Sequence, residues 1–134
     1  MFLLGNRMVV KMLHVLMVDD EPDLDMLIQQ RFRRETKAGQ FKFSFARNGE
    51  RALDTLKANP DIALVVTDLN MPEMNGIELL LQVKKAFPDK KMIVISAYSD
   101  QDSIKTATHA GADGFLFKPL NFKEFEQRLL GCVN

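Results

Sequence analysis

Five short apolar runs, each followed by a stretch of helical periodicity, leave this chain few ways to fold. The runs occupy 13–18, 41–46, 62–67, 91–96 and 114–117, and the helical patterns occupy 22–36, 48–58, 76–87, 102–110 and 121–131. Runs this short have the length of strands, and most are apolar throughout, the mark of strands covered on both faces in a parallel sheet. The run at 41–46 differs. Phe41, Phe43 and Phe45 alternate with Lys42 and Ser44, which predicts a half-exposed strand at a sheet edge. Parallel strands joined through helices cross over right-handedly, so the helices fall on both faces of the sheet. The predicted fold class is therefore α/β, a doubly wound, five-stranded parallel sheet built as (βα)5.

The helices differ in how firmly the sequence attaches them. The first, over 22–36, places Pro22 where a first helical turn tolerates it and offers Leu24, Leu27, Ile28 and Phe32 as its buried face. Its end is blurred by Lys37-Ala38-Gly39. The last begins at Asn121, with Glu124 three residues on in the manner of a capping box, and buries Phe122, Phe125 and Leu129. The helix over 102–110 has only Ile104, Ala107 and Ala110 as apolar positions before Gly111 stops it. So little apolar area permits repositioning at low cost, as a switchable element requires, and equally describes a short structural helix. Met71-Pro72-Glu73-Met74-Asn75-Gly76 reads as a turn, with Asn-Gly its strongest signal.

With 134 residues the chain fits one domain, expected over 13–134, preceded by an N-terminal extension over 1–12. That extension lacks the basic start, sustained apolar stretch and cleavage site of a signal peptide; it reads as a frayed tail or an early extension of the first strand, with Met8 and Met12 as alternative starts. No run approaches the roughly 20 apolar residues of a membrane helix. Eighteen Lys+Arg balance eighteen Asp+Glu, which argues against binding nucleic acid through bulk charge. The single cysteine, Cys132, forbids an internal disulfide and suits a reducing cytoplasm. His14, inside a strand, and His109, at a helix end, are most simply structural.

Chemistry concentrates at the carboxyl ends of the strands, where ligands of open α/β sheets bind. Asp19 and Asp20 end one run, Asp68 another, Ser96 a third and Lys118 a fourth. Three carboxylates gathered this way raise one another's pKa values unless a cation intervenes, and a hard divalent ion such as Mg²⁺ needs only two or three protein oxygens besides its waters. Asp68 is then either a passive ligand or a nucleophile toward a phosphoryl group, with Lys118 supplying positive charge and Ser96 a hydroxyl donor. Taken singly, each residue has a plainer role as a helix cap, surface charge or turn residue. Their joint placement at the ends of four strands is what points to a site.

At this point the chain resembles the receiver domain of two-component response regulators. The resemblance rests on Val18-Asp19-Asp20-Glu21-Pro22, Thr67-Asp68-Leu69-Asn70-Met71-Pro72, Asn75-Gly76, Ile95-Ser96-Ala97-Tyr98, Gly111-Ala112 and Lys118-Pro119, in order and spacing, and runs from about residue 13 to the end. It implies a flavodoxin-like sheet of strand order 2-1-3-4-5 and a phosphoacceptor switch in a phosphorelay, in which Asp68 takes phosphate from a sensor histidine kinase or phosphotransfer protein. It implies Mg²⁺ held by Asp20, Asp68 and the backbone carbonyl of Asn70, with Asp19 acting mainly through water, and a phosphoryl group gripped by Ser96 and Lys118. Phe115 stands at the switch aromatic, and Lys118-Pro119 where the family commonly has a cis peptide bond. Ser96 replaces the commoner threonine. Phe115 replaces the commoner tyrosine, so coupling through it rests on packing rather than on a hydrogen bond. The implied output face comprises helix 102–110, strand 114–117 and helix 121–131, open to a second copy or a downstream effector, in a cytoplasmic protein with no membrane or direct nucleic-acid partner and no enzymatic role beyond its own phosphorylation and dephosphorylation. No output module follows the last helix, as in a stand-alone receiver or one cut from a longer protein.

The runner-up is a Mg²⁺-dependent phosphohydrolase with Asp68 as nucleophile. Such enzymes carry a second acid two residues on, where this chain has Asn70. A flavodoxin-like cofactor binder would need a phosphate loop where Asp19-Asp20-Glu21 stands, and a pseudo-receiver would not need the intact set of acids, hydroxyl and amine.

Overall fold

The computed structural model describes residues 12–70, 75–97 and 99–132, together with the backbone of 2–4 and 7–9. Strands and helices alternate: β1 (Leu13–Val18), α1 (Pro22–Arg31), β2 (Phe41–Ala46), α2 (Gly49–Ala58), β3 (Leu64–Asp68), α3 (Gly76–Ala86), β4 (Lys91–Ser96), α4 (Gln101–His109), β5 (Gly114–Phe117) and α5 (Phe122–Gly131). The five strands form one parallel sheet in the order β2-β1-β3-β4-β5, the flavodoxin-like order 2-1-3-4-5. Phe2–Leu4 pairs antiparallel with Arg7–Val9 in a separate two-stranded hairpin, so these residues do not extend β1 as a simple continuation. The turn residues Met71 to Met74, and Tyr98, lie outside the described residues.

Side chains alternate across the pleat and divide the core in two. Leu16 and Val18 of β1, Val65 of β3 and Met92 and Val94 of β4 meet α2, α3 and α4 through Ala52, Leu56, Leu79, Leu80, Val83 and Ala107. On the opposite face Leu13, Val15, Met17, Leu64, Val66, Ile93, Ile95 and Leu116 meet α1 and α5 through Ile28, Phe32, Phe125 and Leu129. β2 lies at the edge, as its alternation requires, with Phe41 buried and Lys42 exposed. Its aromatic face packs against Phe32, whose ring centroid is 5.8 Å from Phe41, 5.5 Å from Phe43 and 5.7 Å from Phe125.

The first helix departs from expectation in two ways. It is interrupted at Phe32, whose backbone leaves helical geometry (φ −107°, ψ 21°), and resumes as the short segment Arg33–Lys37. Its buried face is also rotated: Asp25, Ile28 and Phe32 point inward, Leu24 is half-buried, and Leu27 is 49 % exposed. An acid occupies a core-facing slot of α1 because Arg47, just past β2, pairs with it. Phe122 of α5 is likewise only half-buried, while Phe125 and Leu129 are buried as expected. α4 buries only Ala107 fully.

His14 has the structural role expected of it. Its Nδ1 lies 2.7 Å from Asp61 Oδ2 and its Nε2 lies 2.6 Å from Ser44 Oγ, tying the edge strand to the approach into β3. The hydrogen bond from His14 is the main reason the Asp61 carboxyl sits below its ordinary range. β3 itself begins later than the apolar run, at Leu64, although Ile62 is still buried.

The parallel register brings the strand ends level. Val18 pairs with Ala46 and Thr67, Asp68 with Ile95, and Ser96 with Phe117. The ladder continues one step past the strands, with Asp19 N–H donating to Ala46 O (3.1 Å), Leu69 N–H to Ile95 O (3.1 Å) and Lys118 N–H to Ser96 O (3.0 Å). Beyond β3 the chain returns immediately. Gly76 N–H donates to Leu69 O at 3.0 Å, and Asn75 caps α3 by accepting from Glu78 N–H at 2.9 Å. A Cβ on Gly76 would stand 2.5 Å from Asp68 O and 2.7 Å from Leu69 Cα, both backbone atoms. Gly76→Ala must therefore push α3 away from the end of β3. Denaturant unfolding should show a loss of about 1–3 kcal/mol, the usual cost of overpacking, and a change below ~0.5 kcal/mol would show that the contact relaxes freely.

Candidate functional site

A cavity of about 180 Å³ opens at the carboxyl end of the sheet, lined by Asp19, Glu21, Asp68 and Lys118 with Leu24, Ile95, Pro119 and Leu120. Three of the residues singled out from the sequence thus share one cavity. Asp68 is the last residue of β3 and only 6 % exposed. Its Oδ1 accepts from Asn70 N–H at 2.9 Å and its Oδ2 lies 2.7 Å from Lys118 Nζ. Lys118 approaches from the end of β5, its side chain 41 % exposed, over the cis Lys118–Pro119 peptide bond. A buried carboxylate with one amide donor and one ammonium is held oriented at the edge of the cavity, as a nucleophile must be.

Asp19 has a different environment. It is 2 % exposed, and its Oδ1 accepts from Glu21 N–H at 2.8 Å, whereas no donor reaches its buried Oδ2. Burial, followed by the facing carboxyl of Asp25, pushes its pKa up to about 7. A buried carboxylate oxygen without a donor is costly, and a divalent cation in the cavity is the ligand that would satisfy it. Asp20 is exposed beside it, and Asn70, whose carbonyl the sequence singled out, is exposed beyond Asp68. Among the described residues no three His, Cys, Asp or Glu side chains form a ready-made metal cage. The donor set fits a hard ion that keeps much of its water shell.

Ser96 and Phe115 stand back from the cavity. Ser96 is fully buried at the end of β4, and its hydroxyl donates to Ala97 O at 3.2 Å. Phe115 is half-buried, packed on the core beneath α2, α3 and α4. Sequence reasoning missed Asp25 and Arg47. Asp25 is 6 % exposed, with its Oδ2 paired to Arg47 Nη1 and its Oδ1 without a donor. The signal was present as an acid at i, i+3, i+7 spacing with Ile28 and Phe32, but Leu24 and Leu27 offered an apolar face that outranked it.

The family model for the response regulator receiver domain matches residues 15–130. The chain is 40 % identical over 106 residues to the chemotaxis protein CheY of Thermotoga maritima, an alignment covering 78 % of this chain and 84 % of that one. It is 36 % identical over 109 residues to a cyclic di-GMP phosphodiesterase of the same organism, covering 81 % of this chain but only 28 % of that longer protein. Among solved structures, it superposes on the response regulator protein TrrA of Thermotoga maritima, crystallised in complex with Mg²⁺ and BeF, with TM-score 0.76 and 30 % identity, covering 90 % of this chain and 99 % of that one.

The raised pKa of Asp19 has a definite sign for stability. Below the ordinary value of 3.8 the group is protonated in both folded and unfolded chains; the folded chain holds the proton to about 7, so its contribution is lost as pH rises between the two. Without divalent cations, the wild type should lose stability relative to Asp19→Asn by roughly 2–3 kcal/mol between about pH 5 and about pH 7.5. Urea unfolding of both proteins across that interval measures it. Parallel stability curves would mean that Asp19 ionises freely in the fold.

Proposed function

The chain belongs to the response regulator receiver family, phosphoacceptor switches of two-component signalling, and from that premise we propose that Asp68 is the residue phosphorylated. The observation that carries the assignment is its carboxylate, buried at the end of β3 and held between Asn70 N–H and Lys118 Nζ at the floor of an acidic cavity. A carboxylate oxygen of Asp68 attacks the phosphorus of a phosphohistidine on a histidine kinase or phosphotransfer protein. The P–N bond breaks, and an acyl phosphate forms. Lys118 neutralises part of the −1.5 to −2 charge that a phosphoryl group typically carries, and its half-exposed ammonium is free to turn from carboxylate to phosphate. Ser96 supplies its hydroxyl by giving up its bond to Ala97 O.

Asp19, Asp20, Asp68 and the carbonyl of Asn70 are the groups that would hold Mg²⁺, consistent with the donorless Oδ2 of Asp19. Bound there, Mg²⁺ would withdraw charge from the transferring phosphoryl oxygens. The phosphohydrolase reading is weaker: two residues after Asp68 stands Asn70, whose amide is far too weak an acid to protonate a leaving group and whose backbone instead donates to Asp68. Among the described residues no helix is long and apolar enough to cross a membrane; a cytoplasmic setting is the one that supplies kinase partners and keeps Cys132 reduced.

The output follows from the same geometry. When Ser96 turns to a phosphoryl group, the backbone after β4 moves, and Phe115 in the adjacent strand repacks against α4. The α4–β5–α5 face then presents a different shape to a second copy or an effector, as a bias on two existing states.

Two measurements test this. Acetyl phosphate with Mg²⁺ should add the mass of one phosphoryl group to the wild type and none to Asp68→Asn; equal labelling would place the acceptor elsewhere. Hydrogen exchange with and without beryllofluoride should change in 99–117, whereas changes confined to the neighbourhood of Asp68 would leave a phosphate sink with no switch.

A further inference from the structure

One buried charge lies next to the cavity without lining it. Asp25, on α1, faces Asp19, and the two carboxyl groups each hold an oxygen that no donor reaches, in side chains more than nine-tenths buried. Asp25 is not left alone with its charge. Its other oxygen pairs with Arg47, which comes from the residue after β2 and keeps 45 % of its side chain in solvent. Asp19, not Asp25, borders the cavity, so Asp25 reaches the site only through Asp19. The result is a row of charges running from solvent inward, one positive and two negative: guanidinium, carboxylate, carboxylate, cavity.

We propose that Asp25 and Arg47 set the divalent-cation affinity of the pocket, Asp25 as a positioning residue that adds negative charge behind Asp19, and Arg47 as the counter-charge that holds it in check. The inference rests on the pocket being the Mg²⁺ site and goes beyond the residues that would touch the ion. Its physical basis is that a buried carboxylate is too far inside to be screened by salt, while its partner is half in water and cancels it incompletely. Asp25 also crowds Asp19 with like charge, because two ionised carboxylates facing each other repel, and the Oδ2 of Asp19, which no donor reaches, gains most by meeting a cation. Arg47 draws Asp25 toward β2 and relieves that pressure. The pair therefore acts on the ion with opposite signs: removing the acid weakens cation binding, and removing the base strengthens it.

That opposition separates an electrostatic role from a structural one. If the ion pair merely held α1 to β2, breaking it from either side would loosen the same contact and change affinity in the same direction. Mg²⁺ titration by calorimetry at about pH 8, on the full chain, should show Asp25→Asn weakened about three- to tenfold and Arg47→Gln strengthened by a similar factor, the scale of one unit charge acting through an effective dielectric between those of protein and water. Arg47→Lys, which keeps the charge, should stay near wild type, and in the Asp25→Asn background Arg47→Gln should have little further effect. Circular dichroism of each metal-free variant confirms folding, and Arg47→Lys keeps the test open if loss of the guanidinium proves unfolding. Shifts of the same sign in the two single variants, or no shift in either, would overturn the proposal while wild-type binding still supported the pocket. A wild type that takes up no Mg²⁺ would overturn both.

Discussion

A carboxylate that is nine-tenths buried at the end of an apolar strand must be given donors, and much of this molecule is arranged around that demand at Asp68. One donor comes from the chain itself two residues on, the other from a lysine delivered by the last strand of the sheet. The second is possible only because the parallel register sets the ends of β3, β4 and β5 level. The return of the chain after β3 is equally constrained, since α3 begins so close to the Asp68 carbonyl that a glycine is required at its first position. The fold thus fixes the orientation of the acid while leaving one side open to the cavity. Proximity of charge without enclosure is what the proposed reaction with a protein-bound phosphoryl donor needs.

Much of this was legible in the sequence, for a reason that is physical. Parallel strands place their terminal residues at one end of the sheet, so reading which residues follow each apolar run finds what gathers there: Asp19, Asp68 and Lys118 line the cavity, while Ser96 ends its strand but stands back from it. The edge position of β2 followed from Phe41, Phe43 and Phe45 alternating with polar residues, and the cap at Asn121 from its spacing to Glu124, whose N–H it accepts at 3.0 Å. What the sequence did not show depends on rotation and on long-range pairing. α1 has apolar residues all round one side, at 24, 26, 27 and 28, and periodicity alone could not choose among rotations that differ by a fraction of a turn. The choice was made by Arg47, twenty-two residues away in the chain, which makes burial of Asp25 tolerable and turns Leu27 to solvent. The interruption at Phe32 has the same character, because its ring is seated among Phe41, Phe43 and Phe125, contacts that no local pattern reveals.

The two faces of the sheet are not equally firm, and this bears on how a local charge event becomes a change of shape. On the face of α1 and α5, Phe32, Phe41 and Phe125 are completely or almost completely buried and interlock with Phe43 at centroid distances of 5.5–6.0 Å. Aromatic pairs of this kind add about 0.5–1.5 kcal/mol each beyond the area they bury, so α5 is anchored. On the other face α4 is held by Ala107 alone among its fully buried residues, with Ile104 only half-buried. A methyl side chain contributes little transfer energy, on the order of 1 kcal/mol, and α4 is the element adjoining the loop that follows Ser96. Motion started by the Ser96 hydroxyl, in the proposed switch, would therefore meet an unequal choice, between a helix fastened by an aromatic cluster and one whose only fully buried residue is an alanine. In the proposed switch it would pass to α4 and to the half-buried Phe115 beside it, with α5 and the Phe-lined edge as the frame against which the change is read.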